Sequence, residues 1–298
     1  MRVITLLFLC VISTGCAQHG ELTYLCSLPG ELEENSGIIA LEAEKVWVIE
    51  DNGNKDHIYE VNTKGDLLRE FEVKNAKNED WEDLTKDKSG NLYIGDFGNN
   101  ENERKDFVIY KIPSPLIEKG DKINAEEIRF SYPEQKKFPP KPADRKYDTE
   151  AFFYLDSLLY IITKDRSNPF SGEALIYTVP AIKGDYSARL VGSFSTCKDF
   201  SSCQITSAAI SPDGKTIVLL GYGSLWIVRD FDLPDFSGGK VEFIDLGVRT
   251  QLEAICFKDN NTVFLSDEEN HLTGRNLYSY TLPPLQKRGA KNQIRDQK

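Results

Sequence analysis

The sequence predicts an all-β chain closed into a five-bladed β-propeller. Short runs rich in Val, Ile, Tyr, Phe and Trp alternate with Gly, Asn, Asp and Pro, and no long stretch has helical period. The runs also recur as one unit, five times along the chain, and a repeat of four short strands per unit is the pattern of propeller blades.

Each unit opens with a strand that passes from polar to apolar: Asn35-Ser36-Gly37-Ile38-Ile39, Trp81-Glu82-Asp83-Leu84, Thr149-Glu150-Ala151-Phe152, Ile205-Thr206-Ser207-Ala208 and Leu252-Glu253-Ala254-Ile255. A turn and a strongly apolar strand follow, as in Val46-Trp47-Val48-Ile49 and Ile217-Val218-Leu219-Leu220. Third strands carry an aromatic residue (Tyr59, Tyr110, Tyr177, Trp226, Tyr278), and fourth strands span 68–73, 127–132, 189–194 and 241–246. The fifth unit lacks a fourth strand, because the chain turns polar after Pro283-Pro284. The unassigned segment 21–26 supplies it, pairing with the last blade and removing an exposed sheet edge. One domain is therefore expected over 21–285, with a disordered polar tail at 286–298. A six-bladed ring is the alternative, its extra blade lying within the Pro- and Lys-rich stretch 112–147.

Arg2, the apolar run 3–12 and the small residues before Ala17 describe a secretory signal over 1–17. Gly15-Cys16 fits a relaxed bacterial lipobox, so Cys16 is the expected lipidation site. The protein would then be anchored to the bacterial envelope or outer surface, touching membrane through its lipid alone. Cleavage after Ala17 is the alternative and gives a soluble periplasmic or secreted protein. Export permits disulfides. Cys197 and Cys203, six apart in a polar loop, are the expected pair, whereas Cys26 and Cys256 lie in apolar runs as buried thiols.

With 47 acidic against 36 basic residues the net charge is −11, which argues against nucleic acid as a partner. The informative acids are those that the repeat aligns. First strands line a propeller channel, so Ser36, Glu82, Glu150, Thr206 (or its neighbour Ser207) and Glu253 converge on one axis. Three carboxylates and two hydroxyls there suit a hard cation, and one Ca²⁺ with its six to eight oxygen ligands is the expected cofactor.

Second strands end beside these starts. They bring Asp51, Asp96, Asp165 and Asp267 to the same face, with Lys164, Arg166 and Tyr222; Arg104 and Arg275 follow in the loops. A small anionic or polar ligand at this mouth is expected. Asp51, Asp96 or Asp165 would be the general base and Lys164 would stabilise developing charge. Arg166, Tyr222, Asp267, Arg104 and Arg275 would contact the ligand.

Glu50-Asp51-Asn52-Gly53, Asp80-Trp81-Glu82-Asp83, Gly95-Asp96-Phe97-Gly98-Asn99, Tyr147-Asp148-Thr149-Glu150-Ala151, Ser211-Pro212-Asp213-Gly214 and Gln251-Leu252-Glu253-Ala254-Ile255 together resemble a group of secreted bacterial propeller proteins, most of them uncharacterised. The order Ser, Glu, Glu, Ser/Thr, Glu, one per blade, is similar to that of the calcium-activated nucleotidases, the apyrases. That resemblance implies a calcium held in the channel by Ser36, Glu82, Glu150, Thr206 and Glu253; it does not carry the substrate. The expected function is thus an exported, monomeric, calcium-dependent hydrolase of phosphoanhydrides or phosphoesters. A non-catalytic surface propeller with structural calcium and a propeller lactonase or esterase are the alternatives. The absence of Gly-x-Ser-x-Gly disfavours a serine esterase.

Overall fold

The computed structural model describes residues 19–270 and 273–284, so the signal segment with Cys16 and the tail 286–298 lie outside the described residues. Blade 1 is built from β2 (Asn35–Glu42), β3 (Lys45–Glu50), β4 (His57–Asn62) and β5 (Leu67–Lys74). Blade 2 has β6 (Trp81–Lys86), β7 (Leu92–Asp96), β8 (Phe107–Ile112) and β10 (Glu126–Ser131), with β9 (Lys122–Asn124) just before its last strand. Blade 3 comprises β11 (Asp148–Leu155), β12 (Leu158–Lys164), β13 (Glu173–Pro180) and β15 (Arg189–Ser195), with β14 (Gly184–Ser187) between the last two. Blade 4 has β16 (Ile205–Ile210), β17 (Thr216–Gly221), β18 (Ser224–Arg229) and β19 (Lys240–Asp245).

Blade 5 has β20 (Leu252–Phe257), β21 (Thr262–Asp267) and β22 (Asn276–Thr281), and its fourth strand is β1 (Thr23–Ser27), antiparallel to β22. The chain is a five-bladed β-propeller closed by its N-terminal strand. Within 112–147 no sixth blade forms. The short β9 runs parallel to β5 of blade 1, and β14 likewise runs parallel to β10 of blade 2. Each covers an outer edge that would otherwise present unpaired backbone, and Ile123 of β9 is buried in the blade 1 core.

Apolar faces of neighbouring blades pack against one another. Between blades 2 and 3, Phe97 meets Phe152 edge-on at 5.2 Å, and Phe107, Phe130, Tyr132 and Tyr177 extend the cluster. A disulfide joins Cys197 to Cys203, and Cys26 and Cys256 are buried free thiols.

The innermost strands share one irregularity. In β2 the pairing passes from Asn35↔Glu50 to Gly37↔Ile49 and skips Ser36. The same skip omits Glu82 in β6, Glu150 in β11, Thr206 in β16 and Glu253 in β20. A bulge leaves the extra residue out of the ladder and re-aims its side chain. The five aligned sequence positions are therefore the five bulged residues of the ring, with Thr206 rather than Ser207 at the equivalent place.

One residue below the bulge of blade 2, Asp83 ties the ring together. It is fully buried. Its Oδ1 accepts from the Leu84 N–H (2.9 Å) and the Ser207 hydroxyl (3.1 Å), and its Oδ2 from the N–H groups of Phe152 (3.2 Å) and Ala208 (3.5 Å). Ser207 in turn accepts from the Ile255 N–H at 3.2 Å. Blades 2, 3 and 4 thus meet at one carboxyl group, and Ser207 links it on to blade 5. Blade 1 closes in because residue 37 is glycine: a Cβ there would lie 2.9 Å from the Asp83 backbone.

Replacing Asp83 by Asn turns an amide N–H toward donors that need an acceptor, and an unsatisfied buried group costs about 1–3 kcal/mol. Urea denaturation of Asp83→Asn should show a loss of that size, and Asp83→Ala a larger one. An unchanged midpoint for both variants contradicts the bridging role.

Candidate metal centre and channel mouth

Where the innermost strands begin, a cavity of about 160 Å³ opens on the axis. Of the residues expected there, Ser36, Asp51, Glu82, Glu150, Lys164, Arg166, Tyr222 and Glu253 line it. Glu34, Asn35, Asn100, Gln251 and Glu268 complete the wall.

One side of the site carries its own cations. Lys164 Nζ lies 3.0 Å from Glu150 Oε1 and donates to the Tyr222 hydroxyl at 3.2 Å. Arg166 reaches Glu150 Oε1 at 3.2 Å and Asp148 Oδ2 at 2.6 Å, and also donates to the Asn100 side chain. Burial opposes charge on Lys164, but the carboxylates of Glu150 and Glu253 outweigh it and hold the ammonium well above its ordinary pKa.

The other side has no such partner. Oxygens of Asp51, Asp80 and Glu82 lie within 4.8 Å of one another. Among the described residues no Lys or Arg nitrogen comes within 4.0 Å of these carboxylates. Burial, reinforced by Asp80 and Glu268, pushes Asp51 up to about 8. Burial together with Glu150, Asp51 and Asp80 pushes Glu82 well above the carboxylate range. Like charges so placed need protons or a cation.

The surroundings fit a cation. A Cβ at Gly98 would fall 2.1 Å from Glu82 Oε1 and 2.3 Å from Asp80 Oδ2, so glycine reserves the space these oxygens use. Asn35 is buried in the cavity wall, and its Oδ1 has no hydrogen-bond partner while its Nδ2 donates to the Asp267 carbonyl at 2.9 Å. The three clustered carboxylates offer oxygen donors alone, the chemistry of Ca²⁺, and the orphaned Asn35 oxygen belongs to the same cavity wall as Asp51 and Glu82. The two hydroxyls of the ring are engaged elsewhere. Ser36 donates to the Trp81 carbonyl and Thr206 to the Leu252 carbonyl, each at 2.7 Å. Both bonds run to the residue before the next blade's glutamate, and Thr206 does not line the cavity.

Asp96, Asp165, Asp267, Arg104 and Arg275 also lie outside the cavity wall. Asp96 pairs with Arg104 at 3.0 Å and accepts the Asp80 N–H at 3.1 Å, so it positions Asp80. Asp165 accepts from Ser167, Ser171 and Gly172, and against the effect of burial these bonds hold its carboxyl below the ordinary value. Asp267 accepts from Thr250, Asn276 and Tyr278, while Arg275 binds Glu269 and the Leu28 carbonyl.

Register explains the division. Glu50, Asp96, Thr163, Gly221 and Asp267 each pair with the residue that precedes a bulge. The residues one further on are Asp51, Phe97, Lys164, Tyr222 and Glu268, and all but Phe97 line the mouth. Successive strand residues face opposite ways, so the expected ring mixed two registers. Aligning the second-strand ends on the bulge would have selected Glu268 instead of Asp267. Asp80 was legible only as part of the Asp-Trp-Glu-Asp motif.

No protein-family model matches the sequence, and no curated protein matches it. Among solved structures, the PQQ-bound aldose sugar dehydrogenase of Streptomyces coelicolor is similar over 88% of this chain and 98% of that chain, at 11% identity and a TM-score of 0.52. A Bacteroides thetaiotaomicron protein of unknown function is similar over 87% of this chain and 74% of its own, at 10% identity and a TM-score of 0.49. A streptogramin B lyase matches over 88% and 87%, at 15% identity and a TM-score of 0.40. The likeness to the dehydrogenase is one of fold alone.

Two measurements probe the electrostatics. Lys164→Met leaves the buried Glu150 short of its nearest cation and should destabilise by about 3–5 kcal/mol in urea, with Glu150→Gln in the same chain recovering part of that loss. Asp51, raised to about 8 in the fold, contributes stability that is complete below its unfolded pKa and is lost as pH rises through the folded one. The melting temperature without added cation should therefore fall between about pH 4 and pH 8, less steeply in Asp51→Asn. A wild-type slope retained in the variant would rule out Asp51 as its source.

Proposed function

We propose that this propeller binds one calcium ion at Asp51, Asp80 and Glu82 and, beside it, a small anionic ligand. The carrying observation is the convergence of three unpaired carboxylates within 4.8 Å, next to a wall that already holds Lys164 and Arg166. Acid oxygens on one side and guanidinium and ammonium donors on the other suit a phosphoryl group spanning the two. The reaction that fits best is hydrolysis of a phosphoanhydride or phosphoester. A bound cation would supply charge neutralisation at a phosphoryl oxygen.

Arg166 and Lys164 offer hydrogen bonds to the remaining oxygens, and Tyr222 orients Lys164 through their 3.2 Å contact. Burial, with Glu253 and Glu34 nearby, raises Glu268 to about 7, the range in which a carboxylate accepts a proton from water effectively. Glu268 thus takes the base role expected of Asp51, Asp96 or Asp165. The Cys197–Cys203 bridge supports a site outside the reducing cytosol, because such bridges persist in oxidising compartments.

A second reading, calcium as a purely structural ion in a binding propeller, draws on one observation. Lys164 and Arg166 already spend hydrogen bonds on Glu150 and Asp148. Calorimetry should find about one calcium per chain and a higher melting temperature with the ion, both lost in the Asp80→Asn, Glu82→Gln double variant and weakened in Gly98→Ala. Calcium binding unchanged in the double variant removes the site. A calcium-dependent screen of nucleotides, phosphoesters and lactones then separates the readings. Turnover that falls about 100-fold in Glu268→Gln supports catalysis, and silence with the ion bound supports the structural role.

A further inference from the structure

The innermost strands run from the acidic mouth, past the Asp83 tie, to a second cavity of about 670 Å³ at the far end of the channel. Its wall is apolar where the strands finish, formed by Ile39, Leu84, Tyr154, Ile210 and Phe257. Cavities of this size commonly take small molecules.

One cation enters this wall without a counter-charge. Lys86, the last residue of β6, is half-buried, and its Nζ donates to the Ala40 carbonyl at 2.5 Å. No carboxylate of the described residues lies within 4.0 Å of it, and burial lowers its pKa. The acids around the rim are committed elsewhere. Asp87 accepts from Ser89, Asn91 and Tyr93, Asp213 from Ser211 and Lys215, and Asp156 pairs with Lys88 at 3.6 Å. An ammonium that keeps two free N–H donors on an apolar wall calls for an anion with an apolar body. With Lys88 paired to Asp156, one uncompensated positive charge among rim carboxylates suits a monoanion, since a dianion would meet more repulsion than Lys86 offsets.

We propose that this cavity is a binding site for a small amphipathic carboxylate, its acyl or aryl body against Ile39, Leu84, Tyr154, Ile210 and Phe257 and its carboxylate on Lys86. The site is independent of the cation centre, from which the Asp83 and Ser207 contacts separate it.

The test is calorimetric titration of the full chain with decanoate below its micelle concentration, with decanol and decyl phosphate as comparisons. Saturable binding of decanoate near one per chain is expected, roughly tenfold or more tighter than decanol, because a charge-assisted hydrogen bond has a value of that order. Lys86→Met should abolish the preference for carboxylate over alcohol, and Ile210→Trp, which fills the cavity while keeping Lys86, should remove binding of both. Each variant is checked by its melting temperature, and Glu82→Gln should bind decanoate as the wild type does. No saturable decanoate binding, equal binding of decanol, tighter binding of decyl phosphate, or a carboxylate preference that survives in Lys86→Met each overturns the proposal.

Discussion

Around the narrow axis, each of the five innermost strands surrenders one residue from its ladder at the same height. Ser36, Glu82, Glu150, Thr206 and Glu253 are those residues. The bulge frees each side chain from the pleat, turning Ser36, Glu82, Glu150 and Glu253 to the axial cavity, and much else follows from the crowding that results. Blade 1 approaches blade 2 through Gly37, the two hydroxyls bind the carbonyls of the next blade, and one step below Asp83 gathers donors from its own strand and from blades 3 and 4. The ring is held at its axis by polar contacts and between its blades by apolar ones.

Concentrating acids in this way sets an electrostatic problem that the fold answers twice. For Glu150 and Glu253 the answer is internal, through Lys164 and Arg166 at the end of β12. For Asp51, Asp80 and Glu82 no amine among the described residues comes within 4.0 Å, and burial raises the pKa of all three. A fully compensated centre would be a structural plug. Here one side stays deficient, and Asn35 Oδ1 is unpartnered in the cavity wall. At the other end of the channel the imbalance is reversed. There the wall is apolar, and the uncompensated charge is the cation of Lys86.

The difference between the two ends is written in the strands themselves. Each innermost strand passes from polar residues at its start to apolar ones at its finish, as in Asn35-Ser36-Gly37-Ile38-Ile39, and closure of the ring converts that gradient into two chemically opposite cavities. The polar cavity was legible beforehand, because carboxylates at repeating positions are conspicuous in a sequence. The apolar one was not, since Ile39, Leu84, Ile210 and Phe257 read individually as core residues.

The sequence by itself determined the architecture: the five-fold repeat, the closing strand, the aligned position at the start of each blade and the convergence of Glu82, Glu150 and Glu253. Those follow from periodicity and repetition, which are local properties of the chain. Only the tertiary structure decided which groups share the site. It set Asp80 against Asp51 and Glu82, placed Glu268 at the mouth, and turned Asp96, Asp165 and Asp267 to hydrogen bonds within loops and blades. It also set Lys164 against Glu150 at 3.0 Å. The physical reason is that strand alternation sends adjacent residues to opposite faces, so a one-residue difference in register separates a cavity wall from a blade interior. Neutralisation of a buried carboxylate, likewise, depends on through-space distance to a residue of another strand, which spacing along the chain does not specify.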